Sequence, residues 1–523
     1  MNGASMNGAS MNGAQALVST LTGLGVDICF ANPGTSEMHF LAALDSPAMK
    51  SVLCLFEGVA TGAADGWYRM TDRPASTLLH LGPGLANGLA NIHNARRASS
   101  GMVNVVGEHS TKHLQYDAPL TSDIEGLARP LSHWVRRVDS ARSIAWDATA
   151  AVQAASGHPG QIATLILPGD ASWQDAGEPL AVPPVVRTRR TPDLARVEHI
   201  AQVLKSGEPA LLILANKATR GRALDLAGSV AAATGVRLAS QFFTARCERG
   251  AGRVPLERIP YSVAPALAYL KDFKHIITVE TTEPVAFFSY PDQPSLLKSP
   301  DAAVHVLAER DEDSELALTM LLDALGARPA PRVQPRIETP CPTGALNPIS
   351  IAHALAHAIP ENAIIVDESL TTGRETMGYT MGARPHDMIN NMGGSIGYSP
   401  PVATGAALAC PDRRVFCMTG DGSAMYTIQS LWTQARESLG ITTIIFANNS
   451  YAILKAEYAN MRAGTPGERA LAMIELDRPR IDWQAMAKSM GVPSCAVDTV
   501  EDLTQAMLRT TNEPGPYLIE VRL

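Results

Sequence analysis

Concentrated positive charge is missing from this chain of 523 residues. Its arginines occur in scattered pairs such as Arg96-Arg97, Arg136-Arg137 and Arg189-Arg190, and the net charge is −8. A phosphate backbone is captured by a dense basic stripe, so nucleic acid is not an expected partner. Paired cysteine motifs are missing too. The seven cysteines, at positions 29, 54, 247, 341, 410, 417 and 495, contain no CxxC. An odd number of them in apolar segments reads as reduced core thiols, which points to the cytosol. No apolar run approaches the length of a membrane span. Nor does a basic region followed by an apolar one open the chain, so neither insertion nor export is signalled.

What is present belongs to a globular protein with sizeable cores: 46% hydrophobic residues against 18% charged, over a length suited to roughly three to four domains. Residues 1–11 are expected to be an unstructured start, because MNGA recurs there at a spacing of five (Met1, Met6, Met11) and the stretch is too polar to bury anything. Leu17, Val18, Leu21 and Leu24 then fall at helical spacing, VDICF is a strand, and Asn32-Pro33-Gly34-Thr35 is a turn before a helix capped by Ser36. The strand SVLCLF runs into Glu57. EGVATGAADGWYRM continues as a small-residue helix, STLLHL is a strand ending at His80, GPGLANGLANIHNARRA is a turn and helix, and MVNVVG is a buried strand. This alternation means a parallel sheet covered by helices on both faces.

The first unit closes near TLILPGD. Pro-rich stretches at 177–193 and at 326–346, the latter with five prolines, read as linkers. Between them a second α/β unit alternates helices such as DLARVEHIAQVLKSG with strands such as PALLILA and HIITVE. A third runs to the end. The expected fold is α/β, with doubly wound parallel-sheet domains at 12–176, 192–328 and 347–523.

The most informative stretch runs from Met418 to Tyr451, MTGDGSAMYTIQSLWTQARESLGITTIIFANNSY. RVFCMTG is an apolar strand, Gly420-Asp421-Gly422-Ser423 a turn where backbone approaches a ligand closely, TIQSLWTQARESL a helix, and ITTIIFA a second buried strand ended by Asn448-Asn449-Ser450. Parallel strands of one βαβ unit finish at the same sheet edge, so Asp421 and Asn448, 27 positions apart, can converge on one ion. Their chemistry is all oxygen. A carboxylate, an amide oxygen and a backbone carbonyl such as that of Ser450 suit Mg²⁺ or Ca²⁺. GDG alone is equally an ordinary Asp-Gly turn; the second strand ending in NN carries the specificity.

On these residues the chain resembles the thiamine diphosphate (ThDP)-dependent enzymes of the pyruvate decarboxylase, benzoylformate decarboxylase and acetolactate synthase group. The resemblance implies that Asp421, Asn448 and the Ser450 carbonyl hold Mg²⁺, with Gly420, Gly422, Ser423 and Tyr451 near the diphosphate. Asn448 is preferred to Asn449 because the family places a residue and then a Thr or Ser after its metal Asn. Glu57 would bond to the cofactor's pyrimidine ring and tune its electronics; taken alone it reads as an N-terminal helix carboxylate favoured by the dipole. The segment NNMGGSIGYSPPVATGAAL resembles the one that bends the two cofactor rings, with Ile396 as the wedge and the Gly394 carbonyl as an acceptor. An ordinary Gly-rich turn is the alternative. Thr371, with Ser369, would donate to the diphosphate, and Asn32, Pro33 and Gly34 count as cofactor contacts. His80 would assist protonation or bind the substrate carboxylate, and Thr35 matches a substrate-binding serine. His113 and Gln115, with His109 and Tyr116, stand where loop residues face the cofactor, and Ser289 and Leu454 where residues face the substrate.

Four departures from the family pattern stand out. The second active-site histidine of the benzoylformate decarboxylase branch aligns with Ser289, the paired histidines of the pyruvate decarboxylase branch have no match, and the C-terminal closing helix is replaced by the strand PYLIEVRL. Lys455 and Glu457 in AILKAEY occupy positions that are apolar over the substrate in the family, which favours a polar or differently charged molecule. The implied activity is decarboxylation of a 2-oxo acid: a thiazolium ylid attacks the keto carbon, and the resulting enamine is captured by a proton or by an aldehyde or second oxo acid. One rival is an acetolactate synthase-like carboligase, a branch that commonly binds flavin. Another is a non-catalytic protein of the same fold. FAD is not expected, since the central unit tracks the compact decarboxylase form, and the family implies a homodimer or homotetramer.

Overall fold

The computed structural model describes residues 11–177 and 188–523. The expected unstructured start therefore lies outside the described residues except for Met11, as does most of the expected linker at 177–193. Met11 is not unstructured. It pairs with Gly177 in a two-stranded antiparallel ribbon. The next residue, Asn12, caps the helix Gly13–Gly23, its side chain accepting from the Gln15 N–H at 2.9 Å while Gln15 Oε1 accepts from the Asn12 N–H at 3.0 Å.

Two compact units emerge: Met1–Thr188 with Gly393–Cys410 and Thr427–Glu437, and Arg189–Met392 with Pro411–Tyr426 and Ser438–Leu523. In the first, β1 (Ile28–Ala31), β2 (Lys50–Leu53), β3 (Ala75–Leu79), β4 (Met102–Glu108), β5 (Trp134–Arg137) and β6 (Ile162–Pro168) form an all-parallel sheet in the order β2-β1-β3-β4-β6-β5. The four inner strands are buried along their whole length and the two edge strands only in part. That is why the inner strands read as unbroken apolar runs: helices cover both faces. The chain steps to one side of β1 to make β2 and to the other side to make β3. A crevice therefore opens at the carboxyl ends of β1 and β3.

Three helices frame that crevice: α1 (Glu57–Thr71), α2 (Leu81–Arg97) and α3 (Ser399–Ala409). All residues of α1 except the last are buried, because small residues let α3 approach backbone to backbone. A Cβ on Gly405 would stand 1.9 Å from the Ala63 carbonyl oxygen. The charges enclosed in this packing are matched. Arg69 pairs with Asp65 at 2.7 Å, Ser100 donates to Asp65 at 2.5 Å, and the guanidinium lies 5.3 Å from the Tyr398 ring. Two local expectations are corrected here. Ser36 is not a cap but sits inside the 3-10 turn Thr35–Glu37, with no side-chain capping bond. The GPG of residues 82–84 is not a turn but the start of α2.

The second unit carries β7 (Ala210–Leu214), β8 (Arg237–Ser240), β9 (Cys247–Arg249), β10 (Glu257–Arg258), β11 (His275–Val279), β12 (Ala303–Ala308), β13 (Ala363–Glu368), β14 (His386–Asn390), β15 (Val415–Gly420), β16 (Ile441–Ala447), β17 (Ser494–Val497) and β18 (Tyr517–Arg522). A five-stranded parallel sheet runs β10-β8-β7-β11-β12, and a seven-stranded sheet runs β9-β14-β13-β15-β16-β18-β17. Three parallel sheets with helical cover are the expected fold class. The unexpected feature is β9, which leaves the central stretch and adds an antiparallel edge to the last sheet, Arg249 opposite His386.

The last sheet repeats the topology of the first: β14 lies on one side of β13 and β15 on the other, so its crevice opens beyond Glu368 and Gly420. GDGS is not a turn there. Gly420 precedes the short helix Asp421–Ala424, and the helix expected over TIQSLWTQARESL is confined to Ser430–Arg436. The cysteines are all free, but Cys341 is exposed and Cys410 and Cys495 are half-buried, so only four are core thiols. Among the described residues no helix is long and apolar enough to cross a membrane.

Candidate active site

The crevice of the seven-stranded sheet holds a small cavity of ≈ 30 Å³, and the expected metal and diphosphate residues line it: Asp421, Asn448, Ser450, Ser423, Thr371 and Tyr451. They arrive from three strand ends. β13 leads into Ser369–Thr372, β15 into Gly420–Ser423 and β16 into Asn448–Tyr451. Asp421 is buried, its Oδ1 accepting from the Gly422 N–H at 2.8 Å and its Oδ2 from the Asn449 N–H at 2.6 Å. Burial pushes this carboxyl above its ordinary pKa, and the backbone donors pull the other way. Asn448 Oδ1 accepts from the Ser450 N–H at 3.0 Å. Asn448 lines the cavity, whereas Asn449, with φ 53°, gives its backbone N–H to Asp421.

This arrangement fits a hard divalent cation. A carboxylate offers about four lone-pair directions, and two backbone N–H groups occupy only part of that capacity. The other donors are also oxygens. Gly422 is glycine because the strand ends crowd here, and a Cβ would stand 2.4 Å from the Tyr451 ring. Ser369 is more committed than expected: its hydroxyl and its N–H both go to Asp367, the latter at 3.0 Å. Leu454, one turn along the helix Ala452–Asn460, is exposed, as is Ser289. Lys455 turns to Glu475, 3.6 Å away, while Glu457 is buried.

In the first unit Glu57 is the first residue of α1 and is buried, its Oε2 accepting from Asn87 Nδ2 at 3.0 Å. Asn32 follows β1 and donates its N–H to the Leu78 carbonyl at 3.1 Å, while Pro33 and Gly34 lead to the exposed Thr35. His80 follows β3. Its Nδ1 lies 2.8 Å from Glu37 Oε2, which also accepts from the Gly34 N–H at 2.9 Å. Glu37 is buried, which raises its carboxyl pKa against the pull of His80. The residue after His80, Leu81, is held at φ 50°, a costly conformation for a branched side chain and one that concentrates at functional sites.

The segment carrying Gly394 and Ile396 is bonded to α2. Asn94 Nδ2 donates to the Ser395 carbonyl at 2.9 Å, and Asn91 Nδ2 reaches both the Gly58 carbonyl at 2.8 Å and the Gly397 carbonyl at 3.4 Å. Gly394 has φ 78°, and Ile396 is half-buried. The loop after β4 stays at the surface: His113, Gln115 and Tyr116 are exposed, Gln115 donates to the Lys112 carbonyl at 2.8 Å, and the His113 ring lies 5.1 Å from that of His109.

Three residues next to these groups were not singled out from the sequence: Glu37, Asn87 and Asn91. Glu37 lies 43 positions from His80 and Asn91 33 positions from Gly58, so no local pattern joins them. The asparagines of LANGLANIHN carried a visible signal, since an amide on the buried face of a helix needs a partner.

Comparison with known proteins gives the family. Residues 11–128 match the N-terminal TPP binding domain of thiamine pyrophosphate enzymes, and residues 371–521 match the C-terminal TPP binding domain. The chain is 48% identical over 510 residues to the "Putative acetolactate synthase large subunit IlvX" of Mycobacterium tuberculosis, covering 97% of this chain and 98% of that one. It is 28% identical over 535 residues to the benzoylformate decarboxylase of Pseudomonas aeruginosa, covering 95% and 96%. The structure superposes on a thiamine diphosphate-dependent 4-hydroxybenzoylformate decarboxylase of Rhodococcus jostii RHA1 with a TM-score of 0.85 at 23% identity, covering 98% of this chain and 99% of that one. The chain belongs to the thiamine pyrophosphate enzyme family, as an enzyme of the acetolactate synthase and benzoylformate decarboxylase type.

Proposed function

We propose that the chain is a ThDP- and Mg²⁺-dependent 2-oxo acid decarboxylase that also joins the activated fragment to an aldehyde or second oxo acid when one is present. The observation that carries this reading is the convergence of Asp421, Asn448 and Ser450 on one cavity at the crevice of the last sheet. When bound, ThDP supplies the carbon nucleophile and the electron sink that release CO₂. Asp421, Asn448 and the Ser450 carbonyl would hold the cation, with Thr371, Ser423 and Tyr451 around the diphosphate. Glu57, placed at a helix N-terminus and fixed by Asn87, would exchange a proton with the pyrimidine ring. His80, steadied by Glu37, would deliver or hold a proton near the substrate. Residues 12–176 and 347–523 are the two cofactor-binding domains in this reading, and the working form is a homodimer or homotetramer.

The test is CO₂ release from a panel of 2-oxo acids with ThDP and Mg²⁺, with and without an acceptor aldehyde. Release that needs both additions and stops with EDTA is the expected result; no release from any acid would overturn it. A second reading, an acetolactate synthase-like carboligase, is favoured by the 48% identical relative. Product analysis separates the two: aldehyde as the main product supports decarboxylation, whereas a 2-hydroxy acid with a flavin band in the visible spectrum supports the synthase.

A further inference from the structure

The helix α4 (Ala452–Asn460) has one buried residue, and it is a glutamate. Glu457 is 9% exposed, and among the described residues its neighbouring donor is the Tyr290 hydroxyl, which falls short of full hydrogen-bonding geometry with either carboxylate oxygen. A buried carboxylate so poorly satisfied is costly, and a donor on a ligand would lower that cost. Two tyrosines lie beside it. The carboxylate adds to burial in raising the phenol pKa of both Tyr290 and Tyr261. Tyr261 belongs to an aromatic cluster, its ring centred 5.8 Å from that of Phe287, which lies 5.7 Å from Phe243. Phe287 is 42% exposed, so the cluster reaches solvent.

The position along α4 supplies the link to the cofactor site. Ile453 lines the cavity of Asp421 and Asn448, and Glu457 is four residues on, on the same helix face, about 6 Å farther along the axis. Glu457 is therefore the next residue of that face beyond the cavity's lining. Lys455 is paired with Glu475 at 3.6 Å, and Arg374 lies over the Tyr261 ring at 5.6 Å.

We propose that Glu457 selects the substrate by receiving a positively charged hydrogen-bond donor, an ammonium or guanidinium, at its distal end, beside the Tyr290 hydroxyl. A desolvated carboxylate favours a cationic donor over an apolar or anionic group. The proposal deepens the decarboxylase reading and rests on it for the nature of the reacting end.

Two series of para-substituted compounds test it, each carrying aminomethyl, hydroxymethyl, ethyl or carboxymethyl: benzoylformates for turnover, and mandelates, which cannot lose CO₂ in the same way, for calorimetric binding. Wild-type protein loaded with ThDP and Mg²⁺ should bind the aminomethyl mandelate about ten-fold or more tighter than the ethyl one, and the carboxymethyl one weakest. E457Q should remove the preference, and E457L should turn it toward ethyl. Binding that ignores the end group, favours carboxymethyl, or keeps its preference in E457Q would overturn the proposal. The wild-type series decides the matter even if a variant fails to fold. Absence of turnover with all four benzoylformates, with the binding preference intact, would count against decarboxylation and leave the Glu457 site standing.

Discussion

Asp421 and Glu57 share one physical situation: each is a buried carboxylate at the start of a helix, Asp421 held by two backbone donors and Glu57 by Asn87. Asp421 was legible because GDGS and NNS lie at strand ends a fixed distance apart, and a parallel βαβ unit must bring such ends together. Glu57 was legible as the start of a helix, although the strand before it, β2, ends at Leu53 and does not run into Glu57 as SVLCLF suggested. Their predicted variants differ. E57Q keeps the shape and the Asn87 contact but cannot exchange the proton, so CO₂ release should fall by roughly 10²-fold or more with little change in melting temperature; unchanged turnover would remove Glu57 from the chemistry. H80A tests the Glu37–His80 pair, and the expected outcome is a lower kcat with intact ThDP affinity, measured by calorimetry. Glu37 was not legible, because nothing local ties it to a histidine 43 positions away.

Helices and strands set where these residues stand. The contact of α1 with α3 has no room for a side chain at Gly405, so G405V should destabilise the fold by about 3 kcal/mol, the range of overpacked cores, as read from urea denaturation. An unchanged denaturation midpoint would mean that the two helices part easily. In β14, the strand next to the edge of the last sheet, His386 is buried, and its imidazole pKa is pushed down to about 4 by burial, with Arg249 and Arg413 adding to the effect and the Arg384 carbonyl and Asp387 opposing it. A depressed folded pKa means that the unfolded chain takes up the proton first. The stability held by neutral His386 is full above about 6.5 and is lost as pH falls toward about 4, a change on the order of 3 kcal/mol. Wild type should therefore lose more stability than H386N between pH 7.5 and 4.5; parallel losses would show that another group carries the acid sensitivity. The partner strand β9 was invisible beforehand, since three residues of CER have no period to read.

Across the whole molecule, the first and last sheets place their crevices by the same reversal of strand order, and that reversal explains why the expected residues follow β1, β3, β13, β15 and β16. Ligand binding to the folded state alone raises its stability, by about 2.7 kcal/mol at a hundredfold excess over Kd. ThDP and Mg²⁺ together should raise the melting temperature by a few degrees, each alone less, with EDTA reversing the gain. D421A should abolish the shift; a shift that persists in D421A would place the cation elsewhere.

The amino-acid sequence by itself determined the α/β class, the three sheets and the residues at their strand ends, because apolar runs of strand length and helical spacing are local patterns, and parallel strands leave their ends at one edge. Only the tertiary structure decided which of those residues acquire distant partners. The linking of the Gly394–Ile396 segment to α2 through Asn91 and Asn94, the capture of His80 by Glu37, the addition of β9 to the last sheet and the burial of Glu457 beside Tyr261 and Tyr290 all join residues far apart in the chain. Such contacts arise from packing and desolvation, which depend on what the folded chain brings to a given point in space.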